Sequence, residues 1–132
     1  MLSEFIHEIK VYYEDTDSGG VVYYSNYLKF LERARTEFIN SIGLSNKKLL
    51  EEYKTLIIVK ICNIEYLKPA KLEDKLQIYS SIESFNKASF IMNQHIKKNN
   101  DLIVKAKLKL VTVNQDGKPV KIPIVLEKKF NS

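Results

Sequence analysis

Residues 12–27 read YYEDTDSGGVVYYSNY, and no other stretch of the chain gathers as many groups able to do chemistry. Asp15 and Asp17 place two carboxylates close together, Gly19 and Gly20 loosen the backbone beside them, and Tyr23, Tyr24, Asn26 and Tyr27 follow. A turn that had only to reverse direction would not need this mixture. A carboxylate beside main-chain N–H groups at the mouth of a helix can act as a base next to a site for developing negative charge. Asp17 would supply the carboxylate. The amides of residues 22–24, with the positive end of the helix that follows, would supply the donors, and tyrosines and valines would line an apolar slot. The plain alternative makes both acids turn residues that bond their own backbone, with Tyr23, Tyr24 and Tyr27 as core or interface rings.

The run Asp15-Thr16-Asp17-Ser18-Gly19-Gly20 also resembles the opening of a calcium loop. Position five, however, holds Gly19, position twelve holds Asn26 in place of a bidentate Glu, and a strand comes before it. Two distant histidines, His7 and His95, with one cysteine, Cys62, do not make a zinc set. No metal and no cofactor is expected. Both histidines fall within strand-like segments as packing or partly exposed residues, and Cys62 reads as a small buried apolar side chain.

The elements that must position this stretch follow from periodicity. Residues 5–13 alternate as a strand that the glycine-bearing segment ends. From Tyr27 the period changes, and Tyr27, Phe30, Leu31, Ala34, Phe38 and Ile42 fall three or four apart with charged residues between them. Ser25 or Asn26 can cap this helix, and Gly43 stands where a left-handed residue closes one. At ~1.5 Å per residue it spans roughly 24 Å, enough to cross a small sheet. Ser45 then caps a short second helix that runs through Tyr53. Strands are expected over residues 56–67, 75–85, 89–97, 102–113 and 124–130, separated by Lys68-Pro69, Asn99-Asn100-Asp101, Asp116-Gly117 and the prolines 119 and 123. Within 102–113, Val104, Ala106, Leu108 and Leu110 face inward and Lys105, Lys107 and Lys109 outward. One strand, one long helix and then a run of strands is an α+β order with a mostly antiparallel sheet.

The chain has 132 residues, 45% of them hydrophobic and 28% charged, which suits one globular domain over residues 1–132. No run approaches the ~18 apolar residues of a membrane span, and Glu4, His7 and Glu8 interrupt any signal-like start. A single cysteine rules out an intrachain disulfide and suits a reducing cytoplasm. The net charge of +5 favours anionic partners. Only Arg33 and Arg35 are arginines and the lysines are scattered without interleaved aromatics, so nucleic acid is not expected as a partner.

The run D-T-D-S-G-G-V-V-Y-Y-S-N-Y-L-K-F-L-E-R-A-R over residues 15–35 closely resembles the hotdog-fold acyl-CoA thioesterases of the 4-hydroxybenzoyl-CoA thioesterase group, and within them the bacterial YbgC branch. The resemblance implies a curved antiparallel sheet wrapped around a long central helix. It also implies homodimers that pair sheet edges and can form a homotetramer, with active sites at the dimer interface. It makes Asp17 the catalytic carboxylate and gives the amide at Tyr24 the task of polarising the carbonyl. Many members of the branch carry histidine at this position; tyrosine keeps the amide and removes any histidine side-chain role. Gly20, Val22, Tyr23, Asn26 and Tyr27 are then expected to shape the substrate site. Lys87, in the turn Asn86-Lys87-Ala88, is expected to meet the phosphates of CoA.

The implied reaction is hydrolysis of a fatty or aromatic acyl-CoA. A thioester carbonyl is activated compared with an ester, so an aspartate can suffice as base or as nucleophile, and the residues leave both routes open. The same affinity for anions would suit the phosphopantetheine arm of acyl carrier protein. The alternative is a hotdog protein that binds acyl-CoA or acyl carrier protein without turnover, its histidine replaced by Tyr24.

Overall fold

A computed structural model describes residues 4–132. β1 (Phe5–Lys10) leads through a single 3-10 turn (Tyr13–Asp15) to α1 (Asn26–Ser41) and α2 (Asn46–Tyr53). β2 (Leu56–Tyr66), β3 (Lys75–Phe85), β4 (Ser89–Lys98) and β5 (Asp101–Val113) follow, and α3 (Ile124–Phe130) ends the chain. The five strands form one sheet in the order β1-β3-β4-β5-β2, antiparallel at every pairing. β1 and β2 are therefore its two edges.

Tyr27, Phe30, Leu31, Ala34, Phe38 and Ile39 form the buried stripe of α1. Against it stand the inward residues of the strands, among them Leu76 and Ile78 of β3, Phe90, Met92 and Ile96 of β4, and Val104, Ala106, Leu108 and Leu110 of β5. Burying each large apolar side chain of this set stabilises the fold by about 1.5–3 kcal/mol. Gly43, at φ +85°, follows the last residues of α1 as the glycine position implied. The helix start differs from its expected cap: Ser25 makes no capping hydrogen bond. Asn26 instead donates from Nδ2 to the Asp15 carbonyl, at 2.9 Å.

One polar side chain lies in the middle of this core. Gln94 of β4 is fully buried, yet all of its amide is used. Its Nε2 donates to Leu31 O and to Ser80 Oγ at 3.0 Å each, and its Oε1 accepts from Arg35 Nη1 at 3.0 Å. The contact to Leu31 O ties α1 directly to the sheet. A buried amide left without those partners would cost about 1–3 kcal/mol, so the network also selects one seating of the helix.

Two expectations are corrected. β1 stops at Lys10, short of Tyr13, because the Tyr12 N–H is taken by Asp15 Oδ2 at 2.9 Å and the chain turns there. Residues 124–130 form a helix, not a last strand. Pro123 precedes its first turn, where a missing N–H costs nothing, and Lys128 and Lys129 occupy its negative end. Leu126 and Phe130, four apart, are both fully buried, whereas Ile124 is largely exposed. Phe130 packs on Phe90 and Phe85 with ring centroids 5.0 and 5.6 Å away. Phe130→Ala should therefore cost about 3–5 kcal/mol in chemical denaturation, while Ile124→Lys should leave the midpoint nearly unchanged. Comparable losses from both variants would contradict the helical docking.

Candidate active site

The segment between β1 and α1 is held by a small hairpin. Thr16 and Val22 form an antiparallel bridge, and Val21 bridges to Lys71. The Asp17 N–H bonds Val21 O at 2.9 Å, and Gly20 N returns to Asp17 O at 3.1 Å. Gly20 closes the turn at φ +79°, a region that side chains other than glycine rarely adopt. Its carbonyl accepts from Leu72 N at 3.2 Å, which fastens the turn to the loop before β3.

The two acids of the motif part company here. Asp15 is buried, and its carboxylate takes the Tyr12 N–H while its carbonyl takes two donors, Tyr23 N at 3.0 Å and Asn26 Nδ2 at 2.9 Å. It is a structural residue of the turn, as the plain reading holds. Asp17 is exposed at the tip, where Oδ1 accepts from Gly19 N at 2.8 Å. That bond orients the carboxylate and occupies one side of one oxygen. Gly19 leaves room for it, since a Cβ there would come within 3.3 Å of the same Oδ1.

The donor side is the entrance to α1. The N–H groups of Tyr23, Asn26, Tyr27 and Leu28 are bonded to Asp15 O, Tyr23 O, Tyr24 O and Ser25 O. The N–H of Tyr24 has no hydrogen-bond acceptor among the described residues. It stands beside the uncapped positive end of a 16-residue helix. A free amide in that place suits a carbonyl oxygen gaining negative charge.

The remaining candidates divide. Val22 and Tyr27 are core residues, 6% and 3% exposed. The hydroxyl of Tyr27 accepts from Ala70 N at 3.0 Å, and burial pushes its pKa up against the lowering effect of that bond. Tyr23 and Tyr24 are exposed, with ring centroids 5.0 Å apart. Asn26 acts on the loop through Asp15. Lys87 is not brought near: Asp17 neighbours the start of β3, and Lys87 lies beyond its end at Phe85, where its carbonyl accepts from Ile122 N. Eleven strand residues, about 36 Å at ~3.3 Å each, separate those ends. His95 stands on the outer face of β4 between Tyr79 and Lys105, where burial and then Lys105 push its pKa down.

Tyr66, the last residue of β2, was not marked by the sequence pattern. Its ring lies 5.8 Å from that of Tyr24 and 5.7 Å from that of Tyr27, so β2 contributes a wall to the site from forty residues downstream. Burial is the first cause raising its pKa. The one available signal was an aromatic residue just ahead of Leu67-Lys68-Pro69, where the strand had to end.

A family model, described as the thioesterase-like superfamily, matches residues 11–130. The chain belongs to that superfamily. The protein named acyl-CoA thioesterase YbgC from Haemophilus influenzae is 37% identical over 128 residues, covering 96% of this chain and 94% of its own. The crystal structure of a probable thioesterase from Bartonella henselae superposes with a TM-score of 0.89 at 32% identity, over 92% of this chain and all of that one. The 4-hydroxybenzoyl-CoA thioesterase of Pseudomonas sp. strain CBS-3 superposes with a TM-score of 0.85 at 21% identity, over 94% of this chain and 97% of that one, and shares the fold. As in the fold that the motif implied, the superfamily member described here keeps its long helix against a curved antiparallel sheet.

The tie between Asn26 and Asp15 makes a direct test of how the loop is held. Asn26→Ala leaves the Asp15 carbonyl with one donor, and a net loss of about 1 kcal/mol is expected in denaturation. Amide exchange at Tyr23, which shares that carbonyl, should quicken. An unchanged midpoint with unchanged exchange would show that the bond does not hold the loop.

Proposed function

We propose that this chain hydrolyses acyl-CoA thioesters, with Asp17 as base or nucleophile and the Tyr24 main-chain amide holding the carbonyl oxygen. One observation carries the reading: an unpaired N–H at the start of α1 follows, within one hydrogen-bonded loop, an exposed carboxylate. Similarity along nearly the whole chain to a protein named for this activity supports it. A donor fixed before substrate arrives needs no reorganisation during reaction, and such a donor is worth about 3 kcal/mol of barrier. As base, Asp17 takes a proton from water while the water oxygen bonds the carbonyl carbon; the C–S bond then breaks and the sulfur takes the proton. As nucleophile, its oxygen bonds that carbon, the thiolate leaves, and water opens the resulting mixed anhydride.

Asp17→Asn keeps an acceptor for Gly19 N and removes the charge. Thiol release from a panel of fatty and aromatic acyl-CoAs should fall about 100-fold or more, with the melting temperature unchanged. Wild-type protein that binds these thioesters yet releases no thiol at any chain length would instead establish the non-catalytic reading.

The same proposal includes a second copy of the chain. Asp17 and Tyr24 are open to solvent in one copy and line no part of the cavity beneath α1. Edge strand β2 and its continuation carry Ile58, Val59, Ile61, Tyr66 and Leu67, each 43–47% exposed. An edge with this much apolar surface invites pairing. Antiparallel pairing of two β2 strands about a two-fold axis would set the Tyr66 end of one against the Leu56 end of the other. Leu56 pairs with Val113, and Val111 with Ser89, so that end of the sheet also carries Lys87. Lys87 of the partner subunit would then face the site and serve the CoA phosphates or the phosphopantetheine of acyl carrier protein. We place this homodimer, or a tetramer built from it, in the cytoplasm, where Cys62 would stay reduced. Ile61→Glu should convert the dimer to monomer in sedimentation and abolish thiol release together; a monomer with full activity would refute the shared site.

A further inference from the structure

Four aromatic rings form a chain of contacts that leads from solvent to core at the entrance to α1. Tyr24 lies 5.8 Å from Tyr66, Tyr66 5.7 Å from Tyr27, and Tyr27 6.0 Å from Phe30, centroid to centroid. Their exposures fall in the same order, 59, 43, 3 and 1%. Tyr66 is therefore the last of them before the core. It meets Tyr24 at an interplanar angle of 73°, so the two rings make a corner.

That corner is fixed on its inner side. Tyr66 pairs with Val104, and the next two N–H groups, of Leu67 and Lys68, both donate to Ile103 O, at 2.8 and 3.2 Å. Behind the ring, the Tyr27 hydroxyl accepts from Ala70 N at 3.0 Å, and Ala70 O accepts from Val22 N at 2.8 Å. Moving the Tyr66 ring inward would need space that the buried Tyr27 and Phe30 already fill, and a close-packed interior does not yield it. A thioester carbon is trigonal, so its sulfur and its acyl carbon leave in different directions from an oxygen held at the Tyr24 N–H. With the sulfur arm directed to Lys87 of the partner subunit, the acyl carbon turns toward the Tyr24 and Tyr66 rings.

We propose, on the basis of the thioester site inferred above, that Tyr66 sets its acyl specificity: the ring ends the recess that starts at the Tyr24 amide, so short or compact acyl groups are accepted and long chains are not. Each methylene that gains apolar contact strengthens binding about 4-fold. That gain stops where the chain meets the Tyr66 ring, and a longer chain must turn back into water.

The test uses 2-oxoalkyl-CoA thioethers, in which a methylene separates the carbonyl from sulfur, so that calorimetry reads binding without hydrolysis. Across acyl portions from acetyl to dodecanoyl, wild-type affinity should reach a maximum at a short member and fall beyond it. Tyr66→Ala removes the ring at a half-exposed position and should raise the octanoyl-to-butyryl affinity ratio at least ~10-fold. Tyr66→Phe keeps the ring and should leave that ratio as in wild type, while Tyr66→Trp should lower it. A residue that only stabilised the fold would weaken all members together, so melting temperature and sedimentation accompany each ratio. Wild-type affinity that climbs steadily to dodecanoyl, or no binding of any member, would overturn the proposal. So would an unchanged ratio in folded Tyr66→Ala, or in Tyr66→Trp where the alanine variant does not fold. Thiol release is read separately: thioethers bound with this profile, but no thiol from the matching thioesters, would refute hydrolysis and leave Tyr66 as the specificity residue of a binding protein.

Discussion

The carbonyl oxygen of Asp15 is the point on which the candidate site depends. It receives Tyr23 N and Asn26 Nδ2, so one acceptor fixes both the end of the loop and the first residue of α1. Its own carboxylate meanwhile takes Tyr12 N and turns the chain out of β1. Strand, loop and helix therefore share one residue, and the relation of Asp17 to the Tyr24 amide follows from it. Were Tyr23 N unbonded, the amide at Tyr24 would have no fixed direction. The loop holds that donor still because the N–H groups of Asp17, Gly19, Gly20, Val22, Tyr23 and Asn26 around it are bonded.

That arrangement requires α1 to sit in one place, which an apolar stripe alone does not guarantee. Hydrophobic contact is tolerant of sliding, because a helix shifted along its axis buries similar area. The Gln94 bond to Leu31 O is not tolerant, since its alternatives leave buried polar atoms without partners. Tyr27 adds a second fixed point at the helix start through Ala70 N. The core thus supplies the energy of seating, and two polar contacts supply its register.

What the sequence showed, and what it hid, follows the same division. The stripe of α1 and the Val104-Ala106-Leu108-Leu110 alternation of β5 were legible because burial on one face writes a period into residue type. Residues 124–130 were not, since a short apolar run fits either period and only the packing of Phe130 on Phe90 and Phe85 decides between them. The motif made Asp17 and Tyr24 visible as neighbours in sequence. Tyr66 was invisible because its place beside Tyr24 depends on the order β5-β2 at the sheet edge, a long-range fact with no local signature. The distance from Lys87 to Asp17 has the same origin: both lie in turns, and only the direction of β3 reveals that the turns are at opposite ends.

The exposure of Asp17 bears on how such a site would work. A carboxylate buried alone would resist ionisation, because desolvation disfavours its charged form. At the tip of an open turn it stays hydrated, and its Gly19 bond fixes its direction without burying it. Water must nevertheless be limited around a developing oxyanion if a single amide is to stabilise it well. A chain that leaves the acid and the amide open, and carries an apolar edge strand ending at Tyr66 beside them, divides these demands. The acid stays hydrated in the single chain, and the proposed second copy would bring the low-dielectric wall by covering the Tyr23, Tyr24 and Tyr66 rings.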